Sequence, residues 1–238
     1  MSKKNNFLET TGHYIEDQWI SLSDLMTGLM MIFMLIAISY MIKVEADQAK
    51  IREVAIIYNN LRNQLYEDLR SEFKKDLNGW GAELDANLTL RFKEPEVLFA
   101  TGQDSLKPQF KEILSNFFPR YVKIITSEKY KSSIGEIRIE GHTSSFWSGT
   151  SSESEAYFQN MALSQSRTRS TLQFIFGLKN IQSQTDWLKQ HVTANGLSSS
   201  KLIYNADGSE NKSKSQRVEF RIITDSEAKM ANIIKSIK

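Results

Sequence analysis

The chain has 238 residues, 30 Lys plus Arg against 28 Asp plus Glu, and a formal net charge of +2, too small to argue for a nucleic-acid partner. It has no cysteine, and its three histidines (His13, His142 and His191) are scattered, which excludes disulfides, thiolate metal sites and a histidine ligand cluster. Residues 1–18 are a short polar tail, expected in the cytoplasm. From Trp19 to Ile42 the chain reads WISLSDLMTGLMMIFMLIAISYMI, and it is free of charge from Leu25 onward. Leu25–Ile42 makes about 27 Å of helix and the run from Trp19 about 36 Å, against a bilayer core of roughly 30 Å. Trp19 and Tyr40 stand near its ends, where aromatic belts lie. The run is too long for a signal-peptide core and no small-x-small cleavage site follows Tyr40, so 19–42 is read as an uncleaved transmembrane helix. The flanking charges (Lys3 and Lys4 before it, Lys43, Lys50 and Arg52 after it) do not set its orientation. The short tail and large C-terminal part fit an N-terminus inside.

Residues 43–78 contain neither proline nor glycine, and apolar side chains return at Ile57, Leu61, Leu65, Leu69, Phe73 and Leu77. Spacing of four predicts a connector helix with one apolar face. A solvated connector and a self-pairing helix both fit that stripe, although the step drifts off a heptad seam. NGWG at 78–81 ends it, and a compact domain follows over 79–225, with 226–238 as a C-terminal tail. ANLTLRF alternates as a strand does, Lys107–Thr126 reads as a helix opened by Pro108, and IGEIRIEGHT is a second strand. SSFWSGTSSESE looks like a surface loop. Glu155–Phe176 is a long amphipathic helix, Asp186–His191 a shorter one, KLIYNADG a short strand and QRVEFRIIT the last strand. Strands alternating with helices predict an α/β (α+β) domain, with a mixed sheet and helices packed on one face.

A carboxylate inside the span, Asp24, costs on the order of 2.5–3.5 kcal/mol by insertion scales. It could cap the start of a helix that begins there, its oxygens bonding amides two or three residues on. Alternatively it faces a bundle interior and takes up and releases an ion. Thr27 and Gly28 share its face one turn on, and small residues there allow close helix contact. The stretch WISLSDLMTGLMM resembles the signature of the B subunit of flagellar-type stators, W-x-x-x-[ST/A]-D-x-M-T-x-L-M. Trp19, Met26, Thr27, Leu29 and Met30 match around Asp24, which falls on the family's ion-carrying aspartate. The resemblance implies two B subunits inside a ring of five multi-span A subunits, with Asp24 passing an ion inward as the ring turns.

A second resemblance covers residues 80–225. LFATGQDSLKP, IRIEGHTSS, NMALSQSRTRS and QRVEFRI look like the ordered blocks of an OmpA-like peptidoglycan-binding domain. Stem peptides of peptidoglycan carry carboxylates, and an arginine fork binds a carboxylate through paired, charge-assisted hydrogen bonds. The resemblance places that role on Arg167, with Asn160, Leu163 and Ser164 matching the same block and Thr143 and Ser144 lying in the adjoining one. Arg169, two residues on, points elsewhere on the helix. The family's G-H-T-D block has an aspartate for the peptide's amine where this chain has Ser144, so Glu153 or Glu155 is expected to substitute, or amine recognition is lost. Ser215 and Gln216 also depart from the family's N-R-R-V-E block, leaving Arg217 on pattern. His142 is read as packing or hydrogen-bonding rather than holding a metal.

Tail, span, long helix and OmpA-like domain together follow the layout of stator B subunits, and among them the B subunits of Zorya anti-phage defence systems are similar in tail, helix and loop. The resemblance implies a non-enzymatic inner-membrane protein with a periplasmic C-terminal domain. Its partners would be a second copy, the A ring and peptidoglycan, with no direct nucleic-acid binding. No cofactor is expected, and the transported ion is expected to be H+ in preference to Na+. A flagellar stator and a passive wall tether without ion flow are the alternatives. A hydrolase is disfavoured, since neither a zinc spacing nor G-x-S-x-G is present.

Overall fold

The computed structural model describes residues 6–93, 95–149 and 152–225; the side chains of 6–18, 20, 21, 95 and 96 lie outside the description. The chain divides into one unit reaching to Val54 and a second beginning at Ala55. Helix α1, Asn6–Phe73, contributes to both. In the first unit every side chain from Leu22 to Lys43 is exposed, and the helix is long and apolar enough to cross a membrane.

In the second unit five strands form one sheet: β1 Ala82–Asp85, β2 Thr89–Phe92, β3 Ile134–His142, β4 Val192–Gly196 and β5 Arg217–Thr224. Their order is β1-β2-β5-β3-β4, with β3 and β4 parallel and the other pairs antiparallel. The helices are α2 Pro95–Leu98, α3 Pro108–Ile125, α4 Glu153–Phe176, α5 Thr185–His191 and α6 Lys212–Ser215. The parallel pair needs a crossover, and α4 belongs to it. Strand alternation sends Leu90, Phe92, Ile137, Ile139, Val218, Phe220 and Ile222 into the core. There they meet the apolar face of α3, where Phe110, Phe117, Phe118 and Tyr121 are fully buried. Leu65, Leu69 and Phe73 of α1 are at most 1% exposed and join this core, Phe73 packing 5.3 Å from the Phe117 ring. The boundary read at residue 79 therefore falls inside the compact unit, and α1 stops at Phe73 in a run of turns rather than at residue 78.

Helix α4 packs by a different rule. Its inward residues are Ala156, Asn160, Ser164, Arg167, Thr168, Thr171 and Ile175, mostly polar, and their hydroxyls bond locally: Thr168 and Thr171 donate to carbonyls one turn back. The helix can lie this close to the sheet because β3 and β4 present glycines. A Cβ on Gly196 would stand 2.3 Å from the Gln165 nitrogen, and one on Gly141 2.7 Å from Thr168 Cγ2. Gly196→Ala is therefore expected to destabilise the fold by about 1–3 kcal/mol through overpacking. Gly79→Ala, which meets only the Asp76 carbonyl at 3.5 Å, should stay within about 0.5 kcal/mol. Chemical denaturation of the solubilised chain measures both.

Three local expectations change. KLIYNADG forms no strand; it makes a single bridge, Tyr204 to Glu210, around a turn in which Gly208 has φ 82°. Glu153 and Glu155 lie in the first turn of α4 behind the Ser152 cap, where the helix dipole favours acid, rather than in the preceding loop. ANLTLRF opens with a turn, in which Leu88 takes φ 64° and Asn87 accepts from the Thr89 amide, before β2 begins.

Candidate functional site

Because α1 begins at Asn6, Asp24 stands in the helix interior, and the cap reading fails. The amides a cap would satisfy already bond within the helix. Asp24 is exposed and makes no hydrogen bond or ion pair among the described residues. Thr27 on the same face turns its hydroxyl onto the Ser23 carbonyl at 2.8 Å. A Cβ at Gly28 would meet nothing within 4 Å, so this face has room for a neighbouring helix. Together they give an apolar helix with one carboxylate, one hydroxyl and one flat spot on a single face.

The second group sits along the inner face of α4. Asn160, Ser164 and Arg167 are buried there, while Leu163 is only half-buried. Asn160 and Arg167 lie two turns apart, about 10 Å along the axis. Asn160 donates to the Phe146 carbonyl at 3.2 Å, tying the loop after β3 to the helix. In that loop Thr143 and Ser144 are buried, the Thr143 amide donates to the Ser198 carbonyl at 3.0 Å, and the Thr143 hydroxyl has no hydrogen-bond partner among the described residues. Arg167 donates through Nε to the Gln103 carbonyl at 2.8 Å and through Nη2 to the Ala100 carbonyl at 3.2 Å, and its guanidinium lies 4.8 Å from the Phe99 ring centroid. These bonds use two of its five N–H donors. Burial pushes the guanidinium down to about 10, with Asp104 opposing, so it stays charged at neutral pH. Asp104 itself accepts from Ser166. Arg169 is exposed.

Glu153, at the start of α4, lines a small cavity together with Ser145, Phe146 and Lys212. A third acid, Glu210, binds the residue after Ser144: its two oxygens accept from the Ser145 amide at 3.0 Å and the Ser145 hydroxyl at 2.5 Å. The sequence gives no sign of this, since Glu210 is 65 positions away and is carried there by the Tyr204–Glu210 bridge.

The sheet face away from the helices is a ladder of charge. Glu219, 1% exposed, accepts from Arg91 and Arg217 at 2.7 Å each. Burial opposes its ionisation, yet these bonds hold its carboxyl down to about 2. Arg217 also donates to the Lys201 and Ser215 carbonyls, so it serves the fold. His142 is buried, and neither ring nitrogen has a hydrogen-bond partner among the described residues, so of the two roles read for it, packing or hydrogen bonding, the structure shows packing. Burial pushes its imidazole below the usual histidine range, so it is neutral at pH 7. Among the described residues one group has metal-ligand chemistry within reach, Glu140, His142 and Glu219, whose donor atoms lie within 4.8 Å of one another.

No protein-family model matches the chain. It is 48% identical over 220 residues to the Zorya protein ZorB of Escherichia coli, covering 92% of this chain and 93% of that one. Among solved structures it resembles a protein described as MotB-like from Desulfovibrio vulgaris, with TM-score 0.51 and 23% identity over 73% of this chain and 98% of that one. The periplasmic domain of Helicobacter pylori MotB, residues 78–256, is also similar, with TM-score 0.41 and 17% identity over 62% of this chain and 84% of that one. The C-terminal domain thus has the fold of the MotB-like structure.

Proposed function

Because the chain belongs to the family of the Zorya protein ZorB, we propose that it is the non-enzymatic B subunit of an ion-driven rotary complex of the bacterial inner membrane. Its N-terminus faces the cytoplasm and its C-terminal domain the periplasm. Two copies stand inside a ring of five multi-span A subunits, and Asp24 carries H+ between the ring and the pair. The observation that carries this reading is Asp24 itself, a carboxylate without a partner among the described residues, in the interior of an otherwise apolar span whose side chains from Leu22 to Lys43 are exposed. An intramembrane acid is tolerated where neighbouring helices wall it from lipid, which calls for partner subunits.

The C-terminal domain holds the pair still by gripping peptidoglycan. Arg167 offers its remaining N–H donors to a stem-peptide carboxylate, with Asn160, Leu163, Thr143 and Ser144 around it. Glu210 supplies the negative charge that the family's pattern places at residue 144, for the peptide's amine. The 48% identity to ZorB favours anti-phage defence over motility. The test is the mass of the complex recovered in detergent when the chain is produced together with a multi-span A subunit of the same system. Two copies per five partners are expected. A stable monomer, or an assembly of this chain that needs no partner, would refute the reading.

A further inference from the structure

On the outer face of the sheet Glu140 pairs directly with Glu219 across β3 and β5, and His142 follows two residues on, on the same side. Two carboxylates placed opposite one another repel unless a cation stands between them. Arg91 and Arg217 both bond the far oxygen of Glu219, Oε1, and leave Oε2 turned toward His142. Oε2 of Glu140 and Oε2 of Glu219 stand 3.7 and 3.8 Å from His142 Nε2, too far for hydrogen bonds. The ring is 3% exposed with both nitrogens unpartnered among the described residues. Among the described residues the cation facing both oxygens is Arg221, at 3.5 and 3.4 Å; its Nη2 donates to Glu219 Oε2 at 3.4 Å, its Nε makes no hydrogen bond, and its side chain is 39% exposed. Arg221 covers the two oxygens and has to turn aside for an ion to enter.

We propose that Glu140, His142 and Glu219 form a site for one zinc-type divalent ion. An imidazole nitrogen with two carboxylate oxygens suits Zn2+ and leaves a fourth position open, whereas Ca2+ and Mg2+ prefer all-oxygen shells. Ligand bonds of about 2.0–2.2 Å at tetrahedral angles put neighbouring donors roughly 3.3–3.6 Å apart. Each carboxylate oxygen therefore needs to approach His142 Nε2 by only a few tenths of an ångström from 3.7 and 3.8 Å, while the two oxygens, which lie within 4.8 Å of each other, close by at most about 1.5 Å. The ion clips β3 to β5 immediately before Thr143 and Ser144, and so fixes the strand end from which that loop departs. Arg91 and Arg217 keep Glu219 ionised and oriented, and Arg221 competes with the metal.

The full chain, solubilised and stripped with a chelator, is titrated with Zn2+ by calorimetry and by thermal unfolding. Expected are one ion per chain, a raised Tm, and a visible d–d band of low coordination number when Co2+ replaces Zn2+. Glu140→Gln, which keeps the side chain's shape, and His142→Ala should each weaken binding at least 10-fold. His191→Ala should bind as the wild type does, and Arg221→Gln should bind more tightly. If the wild type takes up no ion at this stoichiometry, the inference fails. It also fails if the folded Glu140→Gln chain binds as the wild type does, or if Arg221→Gln binds no more tightly.

Discussion

Replacing Asp24 by asparagine is expected to abolish protection against phage while leaving membrane insertion and recovery with the partner ring near wild type. Asparagine matches aspartate in shape and remains a good hydrogen-bonding group, but it cannot gain and lose a proton. Asp24 makes no bond within the described chain that the substitution would break, and Thr27 satisfies its own hydroxyl on the Ser23 carbonyl. Stability should therefore change little. Removing a charge from the span even favours insertion by a fraction of the roughly 2.5–3.5 kcal/mol that the carboxylate costs. Phage protection and complex yield, measured on the same cells, separate the two effects. Full protection by the asparagine variant would remove the ion-carrier role and leave a passive tether. A loss of protection matched by a loss of complex would assign Asp24 to assembly instead.

Arg167→Ala is expected to weaken sedimentation with purified peptidoglycan by about 10- to 150-fold in affinity, the worth of one charge-assisted bond. Arg167 also pins the 99–104 loop through the Gln103 and Ala100 carbonyls, so thermal unfolding must be recorded beside the binding. Arg167→Lys sharpens the test, because it keeps the positive charge and loses the planar fork. It should bind almost as poorly as the alanine variant if paired carboxylate contacts matter. Arg169→Ala, on the exposed face, should bind and unfold as the wild type does. The full chain is the right material: a fragment starting at residue 79 would lose Leu65, Leu69 and Phe73 from the core. If Arg167→Ala pellets as the wild type does, the clamp lies elsewhere and the loop contacts are its whole role.

What could be seen in the residues beforehand follows from the physics of each element. The span, α3, β3 and β5 carry clean apolar runs or periodicities, so their existence and type were readable. β4 was not, because VTANG buries only Val192 fully and its pairing with β3 is made by backbone. β1 was missed for a similar reason, AELD being half-buried at every position. The close seating of α4 depends on Gly141 and Gly196, two residues whose importance lies in the side chain they lack. At the candidate sites, local motifs single out Asp24, Asn160 and Arg167 for the roles proposed. Contacts between distant segments were invisible: Glu210 on Ser145, the carbonyls that hold Arg167, and the facing of Glu140, His142 and Glu219 all arise from register and loop path. Asp24 as a helix cap was undone by sequence upstream of the span, which continues the helix back to Asn6.

Proton flux into vesicles containing the chain and its multi-span partner, driven by an imposed pH difference, tests the ion-carrier role most directly. Flux above the leak of empty vesicles is expected with Asp24 in place, falling to that leak when Asp24→Asn is the only change. Equal flux from the two preparations would contradict it.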